Sequence, residues 1–108
     1  MPKFMLLYRG PAPDMASMTP EMGKAVMDEW GAWFARMGSA LVDPGTPLVP
    51  GDFIPKSAEG RSETDVHGYS IVEAADANSA SELLGDHPIL SDPNQSIEIM
   101  AIVPLPQG

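Results

Sequence analysis

Two short apolar segments at opposite ends of the chain constrain its fold more than any other feature. Lys3–Arg9 (KFMLLYR) carries Phe4, Leu6 and Tyr8 on one side and Met5 and Leu7 on the other. Residues 96–103 carry Ile97, Ile99, Ala101 and Val103 on one side, with Glu98, Met100 and Ile102 on the other. Gly10-Pro11-Ala12-Pro13 ends the first run, and Pro104 and Pro106 stop the second. Short apolar runs closed by Gly and Pro read as strands. A strand that is apolar on both sides belongs where both faces are covered.

The segment between them supplies the covering layer. Residues 19–37 read as a long helix. Thr19 is a candidate N-cap, Pro20 suits the first helical position, and Glu21 complements the positive end of the dipole. Met22, Val26, Trp30, Trp33 and Met37 recur on one helical face. Gly38 is a natural terminator. Gly23 and Gly31 lie inside, each at a cost of about 1 kcal/mol relative to Ala. Close approach of another backbone would account for Gly31.

Residues 40–42 start a second strand that runs into the turn Asp43-Pro44-Gly45-Thr46-Pro47. Residues 50–65 are polar and contain Gly51, Pro55 and Gly60, as in a hairpin arm or a mobile loop. Residues 66–73 read as a third strand, with Tyr69 and Ile71 alternating against Ser70 and Val72. Residues 77–84 read as a short helix starting at Asp76 or Asn78 and ending at Gly85. Asp86-His87-Pro88 is a connector to the last strand.

The order β-α-β-β-α-β predicts an α+β, ferredoxin-like fold: a four-stranded antiparallel sheet with both helices on one face, because the crossovers are right-handed. One domain spans 1–108, as strand-helix-strand at 3–45, a loop or arm at 46–65, and strand-helix-strand at 66–103. The helices cover one face, so the other would expose Met5/Leu7 or Phe4/Leu6 beside Ile97/Ile99 or Met100/Ile102. Such a patch implies a partner, and a homodimer packed sheet to sheet is expected. Burying four such side chains contributes roughly 6–12 kcal/mol per subunit before the entropic cost of association. The alternative is a monomer whose open face is covered by the 50–65 arm.

Charge and composition narrow the partners. The chain has 108 residues, with 6 Lys+Arg against 15 Asp+Glu and a formal charge of -9. That balance disfavours nucleic acid and anionic membrane surfaces, both of which call for clustered cations. There are no cysteines, which excludes thiol nucleophiles, disulfides and thiolate metal sites. No apolar run reaches the roughly 20 residues that span a bilayer. Met1-Pro2-Lys3 leads directly into the first strand without a signal-peptide pattern, so a cytoplasmic protein is expected.

Several segments form an ordered set: Lys3-Phe4-Met5-Leu6-Leu7-Tyr8, then Gly38-Ser39-Ala40-Leu41-Val42-Asp43-Pro44-Gly45, then Gly68-Tyr69-Ser70-Ile71-Val72-Glu73-Ala74, then Asp86-His87-Pro88-Ile89-Leu90 before Ser96-Ile97-Glu98-Ile99-Met100. In order and spacing they resemble the YCII-related family, which includes DGPF-domain proteins, over roughly residues 3–103. The resemblance implies a ferredoxin-like fold in the dimeric α/β-barrel group, and an enzymatic role suspected from a recurring His and Asp. The family His would fall near Met27, yet no His lies between Thr19 and Gly38. The Asp-Gly-Pro-Phe motif is also absent. Asp86 matches the acidic position before the last strand, and Asp43 is a second candidate.

The residues that could carry chemistry are few. His67, at the start of the third strand, is a candidate general base, because imidazole titrates near working pH. Its alternative is a strand-end His bonded to backbone. His87 precedes Pro88 and reads as a surface or connector residue. Asp43 either binds ligand at a strand end or caps the Pro-Gly turn. Asp43, His67 and Asp86 are therefore the catalytic candidates. Trp30 and Trp33 would wall an apolar pocket or pack the core. Tyr8 and Arg9 end the first strand, and Arg9 suits either an anionic group or a salt bridge. No His spacing suggests a metal, and no cofactor is expected. The leading expectation is a homodimer that binds a small organic ligand between the first helix and the sheet, with cofactor-free acid-base catalysis as its extension. The competing expectation is a non-catalytic interaction module with a degenerate site.

Overall fold

The computed structural model describes residues 1–12, 15–49, 51, 54 and 64–106. Strand β1 (Lys3–Arg9) leads to helix α1 (Pro20–Met37), β2 (Leu41–Asp43), β3 (Val66–Glu73), α2 (Ala77–Leu83) and β4 (Ser96–Ile102). The expected boundaries hold to within a residue or two, because each end carries its own local signal. Thr19 Oγ1 accepts the Met22 N–H at 3.1 Å, and Pro20 opens α1. Asp76 caps α2 by accepting the Ser79 N–H at 2.7 Å, which holds its carboxyl below the usual range. The arm expected at 50–65 falls largely on residues outside those described.

The sheet is four-stranded and antiparallel, in the order β2-β3-β1-β4. The two terminal strands lie side by side, with Leu6 opposite Ile99 and Tyr8 opposite Ile97. On the other side of β1, Phe4 faces Val72 and Leu6 faces Ser70. Phe4, Leu6, Tyr8 and Val72 form one buried cluster with Trp33 and Met37 of α1 and with Ala80 and Leu84 at α2. Both helices thus send their buried residues to the same side of β1. The opposite face carries Met5 between Ile71 and Met100, and Leu7 between Tyr69 and Glu98. Of the sets expected there, the structure selects Met5/Leu7 and Met100/Ile102. Met100 remains 48% exposed.

Gly45 pins the turn after β2. Its φ of +77° lies in the left-handed region, and a Cβ would collide with the Tyr69 carbonyl. This glycine lets the chain return closely over β3, where Pro47 bridges to Gly68.

Two expectations for α1 need correction. Its apolar stripe is buried only toward the C-terminus: Trp33 and Met37 are in the core, while Met22 and Val26 are exposed. The buried residues of α1, Trp33 and Met37, both lie in its last turns, so the sheet and α2 cover its C-terminal half only. Nor does another backbone approach Gly31 among the described residues, since nothing of theirs beyond the helix's own backbone lies within 4 Å of a Cβ built there. Gly31→Ala is accordingly expected to stabilise the protein by about 0.5–1 kcal/mol, because helix propensity acts there unopposed. Urea denaturation checks this, and an unchanged or lowered midpoint would mean that the position meets a constraint outside the described residues.

Candidate functional site

The interior between α1 and the sheet is built around His87. This residue was expected in a surface or connector role; it lies in the connector, yet it is 2% exposed. It caps the short 3-10 helix Pro88–Ser91, and its Nδ1 accepts the Ile89 N–H at 3.1 Å. That bond places the proton of the neutral ring on Nε2, which lies 3.1 Å from the Tyr8 hydroxyl. Tyr8 Oη is 2.6 Å from Ser70 Oγ, and Ser70 donates to the Pro44 carbonyl at 2.8 Å. All directions then follow: His87 Nε2–H donates to Tyr8, Tyr8 to Ser70, and Ser70 to the backbone. The chain ends on a carbonyl, which neither takes up nor releases a proton.

The protonation states match this ordering. Burial pushes the Tyr8 hydroxyl up to about 12, against a smaller opposing effect of the Ser70 hydrogen bond. Burial also pushes His87 down to about 4, although Asp86 pulls the other way and Arg36 adds to the depression. At neutral pH the pair is an uncharged imidazole and an uncharged phenol. Aromatic rings enclose it: the His87 centroid is 4.3 Å from Trp33, 4.7 Å from Trp30 and 5.1 Å from Tyr8. Phe34 adds an edge against Trp30 at 6.0 Å. The sequence signal that marks His87 is its position directly before Pro88, where a capping acceptor is needed.

The three catalytic candidates lie in different places. Asp43 accepts the Gly45 N–H at 2.8 Å and the Tyr69 hydroxyl at 3.3 Å, so it caps the turn after β2. His67 Nε2 contacts Gln95 Oε1 at 2.6 Å, and Gln95 in turn donates to the Pro11 carbonyl. Asp86 is exposed and pairs with Arg36 at 3.1 Å. Arg9 is held between two carboxylates, Asp65 at 2.7 Å and Glu98. Of the ligand-binding candidates, Tyr8, Trp30 and Trp33 meet around His87, and Arg9 sits apart from them on the other face of β1.

Two shallow grooves flank the Arg36–Asp86 pair. One, of about 390 Å³, is lined by Trp33, Arg36, Met37, Glu82, Leu83 and Asp86. The other, of about 450 Å³, includes Glu29, Arg36, Asp86, His87, Pro88 and Leu90 in its walls. Among the described residues no three His, Asp or Glu side chains are grouped to hold a metal ion, and no helix is long and apolar enough to cross a membrane. No family model, curated protein or solved structure matches this chain.

Proposed function

We propose that this chain is a YCII-related, ferredoxin-like protein that associates as a homodimer through its open sheet face and serves as an interaction module without acid-base catalysis of its own. The observation that carries the reading is the face built from Met5, Leu7, Tyr69, Ile71, Met100 and Ile102, opposite the one that both helices fill. An apolar surface formed by three adjacent strands is costly in water and suits an identical, self-complementary surface. Arg9 and Glu98 at its edge supply a charged rim. The ordered segments noted in the sequence support the family, and the strand order β2-β3-β1-β4 is the one a split βαβ arrangement produces.

The non-catalytic part rests on positions. Asp43, His67 and Asp86 each serve a turn, a side-chain amide or a surface ion pair, and they do not converge. The one buried histidine is tied at both nitrogens. Acid-base work needs a group that can exchange a proton with substrate near the working pH, and neither Tyr8 nor His87 meets that need.

Light scattering during size exclusion tests the association. At micromolar concentration the wild type is expected at twice the mass of one 11.5 kDa chain. Met100→Asp places a carboxylate on the β4 side of the face without touching the core, and should weaken association at least about 100-fold while leaving the circular dichroism unchanged. A wild type that elutes as a clean single chain would sink the reading.

A further inference from the structure

We infer that β4 pairs edge to edge with β4 of a second copy of this chain, antiparallel and centred on Ile99, so that two four-stranded sheets join into one. β4 ends the strand order β2-β3-β1-β4, and among the described residues no backbone group pairs with its outer side. The register gives the direction of each backbone group. The Ala74 N–H donates to the Pro2 carbonyl, so even-numbered residues of β1 turn their backbone groups to β3 and odd-numbered ones to β4. In β4, Ser96, Glu98, Met100 and Ile102 are therefore the residues bonded to β1, and Ile97, Ile99 and Ala101 turn both N–H and C=O outward.

Sheets normally blunt such an edge with a short strand, a bulge, a proline or a lysine. The opposite edge has these devices: β2 is three residues long, its register slips between Leu41 and Asp43, and Pro44 follows. β4 has none of them. Its seven residues run without a slip against β1, its one charged residue is Glu98, and Met100, Ala101 and Ile102 are exposed. A two-fold axis through Ile99, the midpoint of Ser96–Ile102, sets Ile99 opposite its own copy and Ile97 opposite Ala101 in both directions. Each of these pairs exchanges two hydrogen bonds, and no outward group of the strand is left over. Charge points to the same occupant and register. The chain carries -9, so copies repel where their carboxylates meet. Here Glu98 lies opposite Met100 of the partner subunit and is already paired with Arg9 of its own chain. An axis through Glu98 would set two carboxylates against each other. The contact uses the rim of the sheet rather than its face, so it stands independently of the face-to-face dimer.

Sedimentation equilibrium from about 10 μM to about 1 mM covers the range of small contacts. The wild-type mass is expected to double across it, whatever its value at the lower end. Ala101→Pro removes an outward N–H and leaves the ladder to β1 whole, and should raise the midpoint of that doubling at least about 10-fold. Residue-resolved amide exchange near 1 mM gives a second reading. In the wild type, Ile97 and Ile99 should exchange as slowly as Glu98 and Met100; in Ala101→Pro they should exchange at least about 10-fold faster, with Glu98 and Met100 unchanged. The two wild-type readings decide the matter even if Ala101→Pro fails to fold. The proposal is overturned by a constant mass, by a doubling that Ala101→Pro leaves in place, or by slow exchange at Ile97 and Ile99 without doubling, which would give the edge to a segment of the same chain.

Discussion

Trp33→Ala should cost about 3–5 kcal/mol of folding stability, a large part of what a domain of this size has. The side chain is completely buried and joins the two halves of the interior. It touches the aromatic group of α1 at Trp30 and Phe34, with centroids 6.3 and 5.8 Å away, and His87 at 4.3 Å. Truncation removes those contacts and leaves a cavity that two helices and a sheet cannot collapse around. Trp33→Phe keeps most of the volume and removes an N–H that has no hydrogen-bond partner among the described residues, so its cost should be well below that of the Ala variant. Urea midpoints for the two variants separate the effects. A loss under 1 kcal/mol in Trp33→Ala would mean that the interior is not organised around this ring.

Acidification from neutral pH should destabilise the protein through His87. His87 titrates near 6.5 when unfolded and is pushed down to about 4 when folded, chiefly by burial. Above pH 6.5 the ring is neutral in both states, and its contribution to stability is fully present. Between 6.5 and 4 the unfolded chain binds a proton that the folded one refuses, so stability falls as pH drops. Over that window the loss amounts to about 3 kcal/mol. The structural reason is visible at the ring: protonated Nδ1 could no longer accept the Ile89 N–H. Denaturation midpoints from pH 7 to 4 should therefore decline in the wild type. His87→Gln, less stable at pH 7, should show a much flatter profile across the same range. Parallel profiles would assign the acid sensitivity to another group.

Much of the secondary structure was legible because it is decided locally. Thr19-Pro20 and Asp76 announce helix starts through side-chain acceptors, and Gly-Pro clusters bound the strands. The pairing of β1 with β4 was also readable, since two doubly apolar strands gain most by lying together. The N-terminal half of α1 was misjudged for a physical reason. Periodicity shows which face of a helix is apolar, but not how much of its length the rest of the chain covers. Gly31 was misjudged similarly, because a glycine that serves a close contact and one that serves none look alike in one dimension.

The candidate site was less legible. Asp43, His67 and Asp86 are chemically able residues, and nothing in their spacing reveals that three separate elements carry them apart. His87 was hidden because a His-Pro connector usually lies at the surface; here a cap and an aromatic shell draw it inside.

The chain by itself determined the kinds of element, their order and the apolarity of both sides of β1, because these depend on neighbours a few residues away. The tertiary structure alone decided which side of β1 meets the helices, and with it that Tyr8 reaches His87 while Met5 and Leu7 are turned to the opposite face. Alternation with a period of two is symmetric, so only the packing of α1 and α2 against the sheet could break that symmetry.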